Sequence, residues 1–181
     1  IGMNVPFFKF INPTPSTFFA VGEFGSIYNS VDTGNTWTKI SISTKANLRN
    51  IVMNSHQRGW IAGDSGCVAV TFDSGKTWNT DILDSGKYDF YGLAISNNNN
   101  AIVVGEKGSI YFTTVAGIYW EQKFANVTTN LYAVKNYLDS GVFSIGWLQQ
   151  TSSPPPTLVT ITSFPQTVQR YFSFKLFTGM A

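Results

Sequence analysis

Thr71-Phe-Asp73-Ser-Gly75-Lys-Thr77-Trp78 repeats, 41 residues on, the phrase Ser30-Val-Asp32-Thr-Gly34-Asn-Thr36-Trp37. A third copy, 42 residues further, keeps only the skeleton Thr113-Thr-Val-Ala-Gly117-Ile-Tyr-Trp120. Gly22, Gly63, Gly105 and Gly146 keep the same beat, so one unit is used four times. A period of about 40 residues with a glycine-rich turn and a tryptophan in each unit predicts β-propeller blades, small sheets that bury both faces only when neighbours stack on them.

The expected fold is therefore all-β: about four blades of four-stranded antiparallel sheet, either complete or part of a larger propeller. The blades are placed at residues 1–41, 42–83, 84–125 and 126–181, together one propeller domain. Aligned on their glycines, the units share apolar positions in a first strand: Phe7 and Phe10, Leu48 and Ile51, Phe90 and Leu93, Leu131 and Val134. A second strand is a short apolar run ending in glycine, as in Trp60-Ile-Ala-Gly63 and Val142-Phe-Ser-Ile-Gly146, which suits a strand packed on both faces. A third strand begins at Ser26, Cys67 or Ser109, and a fourth at each tryptophan.

The connections are built from turn formers. Asn12-Pro-Thr-Pro-Ser, Asn54-Ser-His-Gln-Arg-Gly59, Ser96-Asn-Asn-Asn-Asn100 and Leu138-Asp-Ser-Gly141 link the first two strands of each unit. Between the second and third strands stands Gly-acid-x-Gly, three times: Gly22-Glu23-Phe-Gly25, Gly63-Asp64-Ser-Gly66 and Gly105-Glu106-Lys-Gly108. The paired glycines are expected to supply positive φ on either side of a tight hairpin. The fourth unit breaks the scheme after Gly146, with Trp147 and then Pro154-Pro-Pro156, a stiff polyproline run. Residues 157–164 and 168–177 then read as a long hairpin in a divergent last blade that caps the stack.

In Ser/Thr-x-Asp-x-Gly-x-Thr-Trp, the Asp-box, the carboxylate can accept backbone N–H groups across the turn. Glycine takes the conformation closed to side chains, and the indole packs between adjacent sheets. This assigns Asp32, Gly34, Thr36, Trp37, Asp73, Gly75, Thr77, Trp78, Gly117 and Trp120 to holding the fold, not to chemistry.

The run from Gly59 through Trp60, Asp64, Cys67 and Asp73 to Trp78 resembles the blades of the photosystem II stability/assembly factor family, within the wider Asp-box group that includes sialidases. The resemblance covers roughly residues 1–150 and is specific for the blade type. It implies a propeller and a role in photosystem assembly, although similar blades also occur in secreted, phage and virus structural proteins. It also implies an arginine-rich surface, and the arginines of this chain are Arg49, Arg58 and Arg170.

Over 181 residues the chain is 43% apolar and 15% aromatic, ample for one sizeable core and incompatible with disorder. Charged residues make up only 12%, roughly half the usual share. A net charge of +2 without any run of Lys or Arg excludes nucleic acid as a partner. The single cysteine, Cys67, excludes an intramolecular disulfide and reads as a small buried strand residue. No apolar stretch reaches the ~20 residues that a membrane-spanning helix needs, and no signal peptide is expected within these residues. A chain beginning at Ile1 is expected to be cut from a precursor or to belong to a longer polypeptide.

A glycosidase needs two carboxyl groups facing one cleft, and the sialidase version adds an arginine triad and a tyrosine–glutamate pair. The glutamates are Glu23, Glu106 and Glu121, and the repeated turn accounts for the first two. Equivalent turns emerge on one face of a propeller, so Glu23, Asp64 and Glu106 form a candidate binding arc, ending at Trp147 in the fourth unit. The plainer reading is that each acid caps its own hairpin and that Trp147 is buried. The only histidine, His56, reads as a solvated loop residue, and Asn126-Val-Thr128 as a glycosylation sequon of low weight. No metal site, cofactor or catalytic residue is expected.

The function expected from these residues is a non-enzymatic interaction or structural module of a larger extracellular or virion assembly. Its partners are a protein or further blades of the same polypeptide. Two alternatives stay open. One is an assembly factor of the photosystem II type, in a thylakoid lumen or periplasm, and the other is a glycan-binding or degenerate sialidase-like propeller.

Overall fold

In a computed structural model, residues 5–54, 58–96, 100–124, 127–137, 142–146, 158–162 and 173–177 are described. They form four four-stranded sheets, each running in the order of the sequence. The first contains β1 (Phe7–Thr14), β2 (Thr17–Gly22), β3 (Ile27–Ser30) and β4 (Thr38–Ile40). The second contains β5 (Leu48–Met53), β6 (Gly59–Gly63), β7 (Cys67–Thr71) and β8 (Asn79–Ile82). The third contains β9 (Phe90–Ile95), β10 (Ala101–Gly105), β11 (Ile110–Thr113) and β12 (Glu121–Lys123). In the fourth, β13 (Ala133–Tyr137), β14 (Val142–Gly146), β15 (Leu158–Thr162) and β16 (Ser173–Phe177) pair antiparallel in turn. This is the all-β, propeller-blade architecture that the 41–42-residue period predicts. The last two strands are the hairpin expected beyond the prolines.

The chain forms two compact units, residues 1–91 and 92–181. In the first unit, Phe19, Val21 and Ile27 of the first sheet share one core with Leu48, Ile51, Ile61, Ala69 and Trp78 of the second. Phe19, Leu48, Ile51 and Ile61 are fully buried, each such side chain stabilising by about 1.5–3 kcal/mol. Alternation assigns the two faces: Ile51 pairs with Ile61, and Ile61 with Ala69, so these three lie together on the face turned to the first sheet. In the second unit Ala94, Ile102, Val104, Ile110, Phe112 and Leu131 form the corresponding core.

Three local expectations need correction. In the Gly-acid-x-Gly turn only the second glycine has positive φ, as in Gly25 (67°), Gly66 (69°) and Gly108 (72°). The partner residue in that region is the one before it, Phe24, Ser65 or Lys107, and in the first and third sheets the connection is a short 3-10 turn. Gly22, at φ −162°, is in extended backbone open to any residue. It is needed for close approach instead, because a Cβ there would stand 2.1 Å from the carbonyl oxygen of Pro6, and one on Gly63 would stand 2.2 Å from that of Asn47.

The second correction concerns Phe10, whose apolar match with Ile51 suggests core. Ile51 is 0% exposed and Phe10 54%, because the face they share in register is covered by a neighbouring sheet in the second blade and not in the first. The third concerns Leu131, which is buried but lies ahead of its strand, β13 beginning at Ala133.

Candidate functional site

The two intact Asp-boxes are the same hydrogen-bonded device. Asp32 accepts the Thr36 N–H at 2.9 Å, the Thr36 hydroxyl at 2.6 Å and the Ser30 hydroxyl at 2.7 Å. Asp73 accepts the Thr77 N–H at 2.9 Å, the Thr77 hydroxyl at 2.6 Å and the Thr71 hydroxyl at 2.8 Å. Gly34 and Gly75, at φ +88° and +80°, turn the chain, and each donates its N–H to the first hydroxyl of its box at 2.9 Å. Trp37 and Trp78 close the turn by donating the indole N–H to the carbonyls of Gly34 and Gly75 at 3.0 and 3.1 Å.

The third box keeps the backbone without the carboxylate. Gly117 still turns at φ +88° and donates to Thr113 Oγ1 at 3.0 Å, but Val115 and Tyr119 stand where aspartate and threonine stand elsewhere. They are 48% and 68% exposed. Trp120 Nε1 is buried without a hydrogen-bond partner among the described residues.

Hydrogen bonds from Thr36 and Ser30 hold the Asp32 carboxyl at about 2, below its ordinary 3.8. Burial pushes the Asp73 carboxyl up, but donors from Thr77 and Thr71 outweigh it and hold this group too at about 2. A carboxylate saturated with donors and held this acidic is a poor general base near neutral pH.

The turn acids are separated in role by their surroundings. Asp64 lies beneath Arg49, which donates through both Nε and Nη2, the latter at 3.0 Å, while Asn47 donates at 2.9 Å. Glu23 and Glu106 occupy the same turn position in the first and third sheets, with no arginine at the register position of Arg49. Among the described residues no three His, Cys, Asp or Glu side chains converge as a metal site.

What fastens these turns is a feature that sequence reasoning missed. The strained tip residue donates its N–H to an Asn or Asp side chain just ahead of the next sheet's first strand. Phe24 donates to Asn47 Oδ1 at 3.3 Å, Ser65 to Asp89 Oδ1 at 2.8 Å, and Lys107 to Asn130 Oδ1 at 3.1 Å. Asn47, Asp89 and Asn130 follow the repeat spacing, which was the available signal.

A second missed set lies two residues on. β1 and β5 each carry a bulge, between Phe7 and Lys9 and between Leu48 and Asn50, and a bulge re-aims the extra residue's side chain. The extra residues are Phe8 and Arg49. The Arg49 guanidinium lies 5.4 Å from the ring centre of Phe8 and 5.3 Å from that of Tyr91, so a partly exposed cation stands between two rings while Asp64 orients it. Tyr132 holds the equivalent position in the second unit and is 45% exposed.

Of the remaining sequence candidates, Trp147, His56 and Asn126 lie outside the described residues. Cys67 is fully buried, and burial pushes its thiol up to about 11, which leaves it unreactive. No helix among the described residues is long and apolar enough to cross a membrane.

Residues 29–122, just over half of the 181, match the family model of the photosynthesis system II assembly factor YCF48. The chain is 24% identical over 163 residues to the photosystem II stability/assembly factor HCF136 of Arabidopsis thaliana, covering 85% of this chain and 40% of that protein. Among solved structures, YCF48 bound to D1 peptide superposes with a TM-score of 0.69 at 17% identity, over 96% of this chain and 56% of the other. An ancestral GH74 enzyme gives 0.70 at 12% identity, over 95% and 27%, a likeness of fold alone. These relations favour the assembly-factor alternative over the extracellular or virion module, for which they give no support.

Proposed function

The chain belongs to the photosynthesis system II assembly factor YCF48 family, and from that premise we propose that it is a non-enzymatic assembly module that binds a peptide segment of a photosystem protein. The observation that carries this reading is the Phe8–Arg49–Tyr91 stack. Aromatic rings and arginine are the residue types that dominate binding energy at protein interfaces. An arginine already oriented by Asp64 loses little further freedom when it meets a peptide carboxylate or carbonyl.

The Asp-box residues Asp32, Gly34, Thr36, Trp37, Asp73, Gly75, Thr77, Trp78, Gly117 and Trp120 serve the scaffold. Glu23, Asp64 and Glu106 border the binding end of their sheets, with Asp64 as the positioning residue for Arg49. Donor-saturated acids and a buried thiol support the absence of hydrolytic chemistry.

Fluorescence anisotropy with a labelled D1 peptide tests the reading. Saturable binding is expected, weakened at least about tenfold by Arg49→Met, a loss on the order of 1.4 kcal/mol. No saturation by the peptide, or glycoside turnover sensitive to Glu23→Gln or Glu106→Gln, refutes it.

A further inference from the structure

Asn47 stands between the turn tip of the first sheet and the oriented arginine of the second. Its side-chain oxygen accepts the N–H of Phe24 at 3.3 Å, and its side-chain nitrogen donates to Asp64 Oδ2 at 2.9 Å. Its own carbonyl accepts the Asp64 N–H at 2.9 Å, which holds the amide against that carboxylate. Asp64 in turn accepts from Nε and Nη2 of Arg49. One line of hydrogen bonds therefore runs from the Phe24 backbone, through Asn47 and Asp64, to the Arg49 guanidinium. Asparagine suits this place because its amide offers an acceptor and a donor at once.

The arrangement recurs in the second unit. Asn130 accepts the Lys107 N–H at 3.1 Å and donates Nδ2 to the Tyr132 hydroxyl at 3.3 Å. Tyr132 holds the repeat position of Arg49, so in both units an asparagine two residues earlier ties that position to a turn tip. Asp89, at the same place between them, takes the Ser65 N–H at 2.8 Å with a carboxylate, which has no N–H to pass on.

Phe24 contributes little to the turn it occupies. Its φ of 54° is disfavoured for a bulky side chain, and its ring is 68% exposed, so it gains neither backbone preference nor burial there. Ser65 and Lys107 make the same turn at φ 51° and 52° with the same hydrogen bond, so the turn does not need a ring. A lone exposed phenylalanine is ordinary on a protein surface. This one is hydrogen-bonded, through two side chains, to an arginine that stands between two further rings.

We propose that Phe24 and Arg49 are two contact points of one peptide-binding site, and that Asn47 is the positioning residue that sets them. The proposal rests on the peptide-binding reading above and adds the chemistry of the ligand. Asp64 takes the Nε–Nη2 edge of the guanidinium and Phe8 and Tyr91 flank it, which leaves the Nη1 end for an acceptor. The ligand is an extended peptide that sets an apolar side chain on Phe24 and an oxygen acceptor on Arg49.

Anisotropy with the labelled D1 peptide tests the two contact points. Phe24→Ser, which copies Ser65, is expected to weaken binding about fivefold or more, as truncation of an interface aromatic does, without moving the urea midpoint. Val31→Ser removes a side chain of the same 68% exposure at the other end of β3 and should bind like the parent. Unchanged binding by Phe24→Ser, or an equal loss from Val31→Ser, overturns the proposal. Nuclear magnetic resonance of the free protein reads Asn47 without a ligand. Asn47→Ala is expected to shift both the Phe24 amide and the Arg49 Nε–H signals, whereas Asn47→Asp, which keeps the acceptor as Asp89 does, should shift chiefly that of Arg49. An Arg49 signal unmoved by Asn47→Ala would leave Asn47 fastening the turn alone and overturn its positioning role. A parent chain that the peptide never saturates removes the peptide-binding reading and this site together, while a parent that binds no better than Phe24→Ser removes this proposal alone.

Discussion

The Phe19 ring lies directly over Gly75, on the turn that Trp78 closes by donating its indole N–H to the Gly75 carbonyl at 3.1 Å. One contact thus joins the core of the first sheet to the Asp-box of the second. It requires glycine for two reasons, a φ of +80° and a ring where a Cβ would be, and it makes Trp78 a load carried by both sheets.

Trp78→Ala is therefore expected to cost about 3–5 kcal/mol, the usual loss for truncating a buried aromatic. Trp37→Ala, at the same place in an uncovered box, should cost clearly less in the 181-residue chain. Urea denaturation of both variants measures the difference. Equal midpoints would remove Trp78 from the inter-sheet core.

Gly63→Ala is expected to destabilise strongly although its backbone is extended, because the added methyl would stand 2.2 Å from the Asn47 carbonyl oxygen, a rigid neighbour. Gly34→Ala meets no atoms and should cost only the roughly 1 kcal/mol of an alanine in a left-handed turn. A thermal melt that ranks the two variants the other way would contradict the close-approach account of the first glycine in these turns.

The repeat makes the fold legible: the spacing of tryptophans and glycines marks sheets, turns and Asp-boxes along the sequence. It misled at Phe10, because a single strand's pattern does not say whether a neighbour covers it. It was silent on Arg49 and Phe8, because a bulge breaks the strict alternation by which strand residues are assigned to faces. Their 41-residue spacing was visible, but nothing in composition tells an aromatic beside an arginine from core and surface. The acids of the turns drew attention by their charge, and the structure gives Asp64 a partner that sequence order hides, Arg49 being 15 residues away.

Val115→Asp combined with Tyr119→Thr restores the missing box on a backbone already held by Thr113 and Gly117. Each net hydrogen bond contributes about 0.5–1.5 kcal/mol, so the double variant should be stabilised by on the order of 1–2 kcal/mol, discounted for exposure. Each single variant should gain less, since Asp without Thr, or Thr without Asp, makes only part of the set. A calorimetric melt checks this, and a lower midpoint for the double variant would show that the third turn does not share the geometry of the other two.

Acid should act on the boxes in a defined window. The Asp32 and Asp73 carboxyls are both held near 2 against an ordinary 3.8. A group whose folded value is depressed contributes stability that is present above the unfolded value and lost as pH falls through the folded one. Stability should therefore decline from near pH 4 toward pH 2. In Asp73→Asn that decline should be shallower, with its midpoints approaching those of the parent as the pH falls. Parallel acid limbs for the two proteins would show that Asp73 is not hydrogen-bonded as described.

Arg49 and Asp64 are expected to be coupled more strongly than a surface ion pair and less than a fully buried one, their side chains being 32% and 15% exposed. Exposed pairs contribute roughly 0–1 kcal/mol, whereas breaking a buried one costs about 3–5 kcal/mol, so a double-mutant cycle with Arg49→Met and Asp64→Asn should return a coupling on the order of 1–2 kcal/mol. The same variants separate folding from recognition. Asp64→Asn leaves the guanidinium between Phe8 and Tyr91 but loosens its orientation, so it should weaken D1-peptide binding less than Arg49→Met does. Arg49→Lys keeps the charge and loses the planar, two-donor fork, and should bind nearly as weakly as Arg49→Met. If Arg49→Lys binds the peptide like the parent, charge alone suffices and the stacked geometry has no part in recognition.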